Sequence, residues 1–163
     1  MNRVLAMVAL VCSLNSCATS FQRLSTTDRQ EITVAALSEA LADHDFARYD
    51  AFVRWDALTK PPWQTDPPPF VLKSLRARFP VLPSSQAVWI EISKDDNLNY
   101  VANKHSKKRG KIYFVDIVRV GFNHIVIDVG FAAEGLFGGS TEYVARKTRD
   151  GWRFEPTGTV SVS

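Results

Sequence analysis

Several short stretches carry side chains able to do chemistry. Lys104-His105-Ser106-Lys107-Lys108-Arg109-Gly110-Lys111 places five cations (Lys104, Lys107, Lys108, Arg109 and Lys111) in eight residues. Such a run can hold lipid phosphates or the acidic groups of envelope polymers, at about 1 kcal/mol per cation near an anionic surface. No aromatic residue interleaves the cations, so single-stranded nucleic acid, which binds by stacking as well as charge, is not an expected partner. The ordinary use of such a run is a mobile solvated loop that keeps a neighbouring strand edge from pairing wrongly. Asp43-His44-Asp45 sets an imidazole between carboxylates, which can raise its pKa and make a general acid; the commoner setting for these residues is a solvated helix end. Asp95-Asp96-Asn97 offers oxygen ligands, but it lacks the Gly and terminal Glu of a calcium loop and reads as a turn. Asp116, Asp128, Glu134 and Glu142 fall in a strand-rich region, where two carboxylates can converge as an acid–base pair.

Other chemistries lack their signatures. Gly135-Leu136-Phe137-Gly138-Gly139-Ser140 has no Gly-Lys-Ser/Thr end and no helix after it, so it is expected to be a flexible hairpin connection rather than a phosphate loop. No Gly-x-Ser-x-Gly is present. Trp55, Trp63, Trp89 and Trp152 can line an aromatic pocket, although core packing is the default for each. The chain has two cysteines, Cys12 and Cys17, both near the start. A disulfide framework, a thiolate metal site and a cysteine nucleophile inside the fold are therefore excluded. No cofactor and no metal is expected. The net charge of +3 includes Arg3 and is too weak an excess to argue for nucleic acid.

The cysteines direct attention to the first twenty residues. Arg3 is followed by Val4-Leu5-Ala6-Met7-Val8-Ala9-Leu10-Val11-Cys12, an apolar block short of the roughly 20 residues a spanning helix needs. A positive start and a short apolar block are the layout of a secretory signal peptide. At its end, Leu14-Asn15-Ser16-Cys17 resembles the lipobox of bacterial lipoproteins, in which an apolar and two small residues precede the cysteine; Asn15 departs from that pattern. The resemblance implies cleavage before Cys17 and a diacylglycerol on its thiol. Ala18 after the cysteine, by resemblance to Gram-negative sorting rules, implies an outer-membrane protein facing the periplasm. The alternatives are a soluble secreted form cut at Ala18 or Ser20, and a cytosolic protein with a poorly ordered N-terminal helix. The expected organisation is a signal peptide over 1–16, a lipidated tether over 17–26 and a single domain over 27–163. A domain of that length buries about two-thirds of its surface and can fold on one core.

The domain reads as α+β. Thr27-Asp28-Arg29-Gln30 predicts a capping box, with Thr27 capping and Gln30 reaching back. The helix runs to about Asp45, with Val34, Leu37, Leu41 and His44 on one face. FARYDAFVRWDALTK mixes strand and helix periods, and a strand at 50–56 is favoured. Lys60–Phe70 holds five of the eight prolines and is neither helix nor central strand; Trp63 should pack back on the body. Asp66-Pro67 opens a short helix over 70–79, with Leu72, Leu75 and Phe79 inward and Lys73, Arg76 and Arg78 in water. A strand at 88–93 and a polar loop at 95–110 precede four strands broken at Gly121-Phe122-Asn123, at Gly138-Gly139 and at Asp150-Gly151, the favoured tight-hairpin pair. Ile125, Ile127, Val129 and Phe131 should face the core, and Val126, Asp128 and Gly130 away from it. The predicted fold is an N-terminal helix and a short second helix packed on an antiparallel, curved β-meander.

Val118-Arg119-Val120-Gly121, Gly138-Gly139, Tyr143-Val144-Ala145 and Asp150-Gly151-Trp152-Arg153-Phe154, with the earlier Asp66-Pro67, Leu75 and Pro83-Ser84-Ser85, look like small bacterial secreted or lipoprotein chains of unassigned function. The sheet end is similar to cystatin-like and NTF2-like cones. That class spans enzymes, ligand binders and scaffolds, so the likeness transfers no activity. The function expected is that of a lipid-anchored envelope module binding a small ligand or a protein partner. The alternative is a small NTF2-like enzyme with an acid–base pocket in the curved sheet, built from one of Asp116, Asp128 or Glu142 with a nearby histidine.

Overall fold

The computed structural model of the chain describes residues 24–55, 65–93, 98–134 and 137–162. Helix α1 spans Thr26–Ala42 and is capped by Ser25. The Ser25 hydroxyl accepts from the Asp28 amide at 3.0 Å and donates to the Asp28 carboxylate at 2.6 Å. The capping pair thus lies two residues before the Thr27–Gln30 pair expected from the sequence. Ser25 with Asp28 adds an acid in the first turn, where the helix dipole favours negative charge. Ile32, Ala36, Leu37 and Leu41 form the buried face. Val34 is half-buried, and His44 lies past the helix end, which comes three residues earlier than Asp45.

Strand β1 (Asp50–Val53), helix α2 (Pro69–Arg76) and strand β2 (Val81–Pro83) follow. β1 occupies the favoured strand segment but stops at Val53. Prolines open α2, where a missing N–H costs nothing. Val71 and Leu75 are its buried pair, whereas Leu72 is half-buried beside them; Lys73, Arg76 and Arg78 are exposed as expected. The Asp66 carboxylate accepts from the Ser85 amide at 2.7 Å and the Ser84 hydroxyl at 3.2 Å. Trp63 lies outside the described residues, as do Asp95, Asp96 and Asn97.

A 3-10 turn (Ser84–Gln86) leads into β3 (Ala87–Ser93), β4 (Leu98–Asn103), β5 (Gly110–Val120), β6 (Ile125–Glu134), β7 (Phe137–Thr148) and β8 (Gly151–Val162). The main sheet runs β2-β1-β5-β6-β7-β8, and β3–β4 is a small hairpin joined to it at Tyr100–Glu134. β5 to β8 form the antiparallel meander; β1 is parallel to both of its neighbours, β2 and β5. The fold is α+β, with two helices on a mostly antiparallel sheet. Register shifts at Ile117/Arg119, Ala132/Glu134 and Thr141/Tyr143 bend the strands, as an extra residue in one strand does.

Two expectations are corrected here. Residues 98–103, expected in a polar loop, form β4, because Val101 and Ala102 are fully buried against β3 while Asn99 and Asn103 carry the polarity. Gly138-Gly139, expected in a turn, is strand, paired with Ala132 and Phe131.

The main core lies between the helices and one sheet face: Ile32, Leu37, Leu41, Ala51, Val53, Val71, Leu75, Tyr113, Val115 and Ile127 among others. Ile125 and Ile127 are buried there, with Val129 and Phe131 half-buried against it, as the alternation predicts. A second cluster of Phe52, Ala87, Val101 and Ile112 sits under the β3–β4 hairpin. Phe52 and Ile112 alternate with Ala51, Val53 and Tyr113, so this cluster covers the opposite face. The two hairpin turns at 121–124 and 148–151 share the sheet end near the start of α1. There Gly121 N–H donates to the His124 carbonyl at 2.8 Å, Gly151 takes φ +123°, and Lys147 bonds Asp28 and Glu31 at 2.7 and 3.0 Å.

Candidate functional site

Where α1 ends, the chain turns back toward β1 and leaves a groove between the last turn of the helix and the inner face of β5, β6 and β7. Its cavity measures about 380 Å³, within the range of small-ligand sites. A smaller recess of about 220 Å³ shares Ala40, Asp43, Val129 and Tyr143 with it. Val129, Phe131, Tyr143 and Val160 give the groove an apolar floor, Gly139 adds no side chain to it, and Asp43, Lys111 and Thr141 supply polar groups.

His44 and Tyr113 form one wall. They are 69 residues apart in sequence, and His44 Nδ1 lies 2.9 Å from the Tyr113 hydroxyl. The other ring nitrogen, Nε2, lies 3.1 Å from the Tyr49 carbonyl. A carbonyl can only accept, so Nε2 carries the proton and Nδ1 accepts from the tyrosine O–H. His44 is therefore a buried, neutral imidazole with both nitrogens engaged, and the expected solvated helix end is corrected. Phe46 packs edge-on against its ring at 4.5 Å. Burial holds the His44 pKa below its ordinary 6.5, a shift that the Tyr49 carbonyl opposes and Lys111 adds to. Burial likewise pushes the Tyr113 phenol up to about 12. At neutral pH the pair is uncharged, and Lys111 supplies the positive charge of this wall.

A stability consequence follows from the depressed imidazole. The unfolded chain takes up a proton near pH 6.5 that the folded chain refuses until lower pH. The contribution of neutral His44 is thus complete above the unfolded value and is lost as pH falls through the folded one. Melting temperature should drop between pH 7 and pH 5. His44→Gln, which keeps one donor and one acceptor, should flatten that part of the curve; an identical acid limb in the variant would contradict the assignment.

The structure divides the cationic run. Lys104, His105, Ser106, Lys107 and Arg109 are exposed in the β4–β5 connection. That connection is a solvent-exposed, hydrogen-bonded turn. The Asn103 side chain accepts from the His105 and Ser106 amides, and Lys107 adopts φ 61°. The Lys104 ammonium reaches the Ser85 carbonyl. Lys108 bonds the Phe46 carbonyl at 3.0 Å and pairs with Asp50 at 3.2 Å. The Arg109 guanidinium lies over Tyr100. Lys111 belongs to the inner face of β5, with its ammonium 4.7 Å from the Phe131 ring centre, and lines the groove.

The carboxylates gather, but not around His44. Asp116 stands opposite Asp128, and Asp128 opposite Glu142, in one row across three strands. By strand alternation that row is on the face away from Tyr113 and His44, and Glu142 accepts from the Thr157 hydroxyl at 3.0 Å. The pairing of one of these acids with His44 is not assembled. Among the described residues, no three of His, Cys, Asp and Glu lie close enough to share a metal ion. Trp55 and Trp152 pack against the main core, and Trp89 is 38% exposed on β3. Cys17 lies outside the described residues. Sequence reasoning missed Tyr113 and Tyr49; the alternation of KIYFVDIV, which turns Tyr113 inward with Lys111, was the signal available.

Fold and groove define an α+β protein with a cleft between the end of α1 and its sheet. Comparison with models of protein families, with curated proteins and with solved structures found no match.

Proposed function

We propose that this chain is a lipid-anchored protein of the bacterial envelope, held to the outer membrane at Cys17, whose α+β body binds a small ligand on the periplasmic side. The groove at the end of α1 is the observation that carries the binding role. It joins an apolar floor to one cation, Lys111, beside an uncharged His44–Tyr113 wall. That combination suits a ligand with an apolar body and an anionic group, which the lysine neutralises while the floor buries the remainder. A binding role is favoured over catalysis because both nitrogens of His44 are engaged within the protein and the row of acids lies on the other face of the sheet. Periplasmic placement rests on the lipobox resemblance at Leu14–Cys17.

Anilinonaphthalene sulfonate, an apolar fluorophore with one sulfonate, is a suitable probe. Its emission should rise on binding. Thr141→Trp, which fills the groove from β7, should abolish the rise, and Lys111→Met should weaken it. Unchanged binding in the folded Thr141→Trp variant would remove the groove as the ligand site.

A further inference from the structure

Phe122, at the tip of the β5–β6 hairpin, is 87% exposed, and Val118, the extra residue of the β5 bulge, is 55% exposed. An aromatic ring held out at a hairpin tip gains nothing for the fold. The described chain begins at Leu24 beside this same hairpin: Leu24, Ser25 and Asp28 border one recess with Phe122, His124 and Lys147. If Cys17 is acylated, seven residue steps separate the lipid from Leu24, a reach of at most about 25 Å. This end of the sheet is therefore the end held near the bilayer. Arg119, Arg146 and Arg149 are exposed here and enter no ion pair among the described residues; the acid in the same hairpin as Arg149 is Asp150. The 104–109 turn lies at the other end of β5, ten residue rises or roughly 33 Å away, and the β5 residues of the groove, Lys111 and Tyr113, lie in the half of the strand nearer to that turn.

We propose that the 121–124 hairpin end is a membrane-contacting face, with the Phe122 ring seated among phospholipid headgroups and Arg119, Arg146 and Arg149 beside the phosphates. The inference rests on the lipid anchor of the proposed function and adds an orientation to it: the groove lies toward the end of the sheet away from the bilayer. It also turns the cationic 104–109 turn away from the anchoring membrane.

Loss of Cys12 with the signal and acylation of Cys17 leave an introduced cysteine as the sole free thiol. Mature lipoprotein carrying Asn123→Cys or Lys107→Cys, labelled with bimane, is reconstituted into phosphatidylethanolamine–phosphatidylglycerol vesicles. Flotation reads the anchor, and quenching reads the orientation. The label at 123 should be quenched by headgroup nitroxide lipids and shielded from aqueous iodide, and the label at 107 the reverse. Adding Phe122→Asp should abolish nitroxide quenching at 123 while flotation persists. A floating protein whose label at 123 is open to iodide, or whose label at 107 is the one quenched by lipid, overturns the orientation and leaves the anchor standing. A protein that does not float has lost both.

Discussion

Phe52→Ala is expected to cost about 3–5 kcal/mol, the range for removing a fully buried aromatic ring from a core. Against a total stability of roughly 5–15 kcal/mol for a domain of this size, that is a large fraction. Phe52 is 0% exposed and is the largest member of the cluster that joins β1 to the β3–β4 hairpin through Ala87, Val101 and Ile112. Its ring occupies the space where a side chain at Gly110 would stand, and the Asp50 carbonyl is 2.7 Å from that point. Loss of the ring therefore leaves a void that the backbone of β5 limits from closing. Urea unfolding of the variant should show a lower midpoint with an unchanged slope. A cost below about 1 kcal/mol would mean that the hairpin cluster contributes little to the fold.

The second large effect concerns location. Cys17→Ser removes the thiol that a diacylglycerol requires, and membrane association should be lost or converted to retention through the uncut apolar block. Metabolic labelling with a fatty-acid probe should mark the wild type and leave the variant unmarked. Equal labelling of both would show that the acyl chain, if present, sits elsewhere. The folded body should be untouched, because the core formed by the described residues contains no cysteine.

The helices and the meander were legible in the sequence because their patterns are local. Leu37 and Leu41 repeat at helical spacing, Ile125 to Phe131 alternate, and Asp150-Gly151 ends one strand and starts the next. β1 was ambiguous for a physical reason. Ala51, Phe52 and Val53 are all buried, because helices cover one face of the strand and the β3–β4 hairpin covers the other. A strand buried on both faces loses its alternation. β2 is three residues long and ends in Pro83, and its parallel pairing with β1 is a long-range choice that no window of residues displays. β4 was hidden by composition: Asn99 and Asn103 made 98–103 look like loop, yet Asn103 is buried and donates to Asp50 at 2.9 Å. The cap of α1 was misplaced by two residues because two Ser/Thr-x-x-polar patterns overlap there, and the one with the acid prevailed.

The site was legible only in fragments. His44 and Lys111 were both singled out, each for a local reason that the structure revises. The neighbours Asp43 and Asp45 point to a solvated helix end, but the chemistry of His44 is set by Tyr113 and Tyr49, the first of them far away in sequence. In the sequence Lys111 is one of five clustered cations, but strand alternation turns it inward to the groove while Lys104 and Lys107 stay in water.

The most direct test is the mass of the N-terminal peptide from protein extracted from membranes. That peptide should start at Cys17 and carry the added mass of a thioether-linked diacylglycerol. An intact Met1 terminus on protein recovered from the cytosol would contradict it.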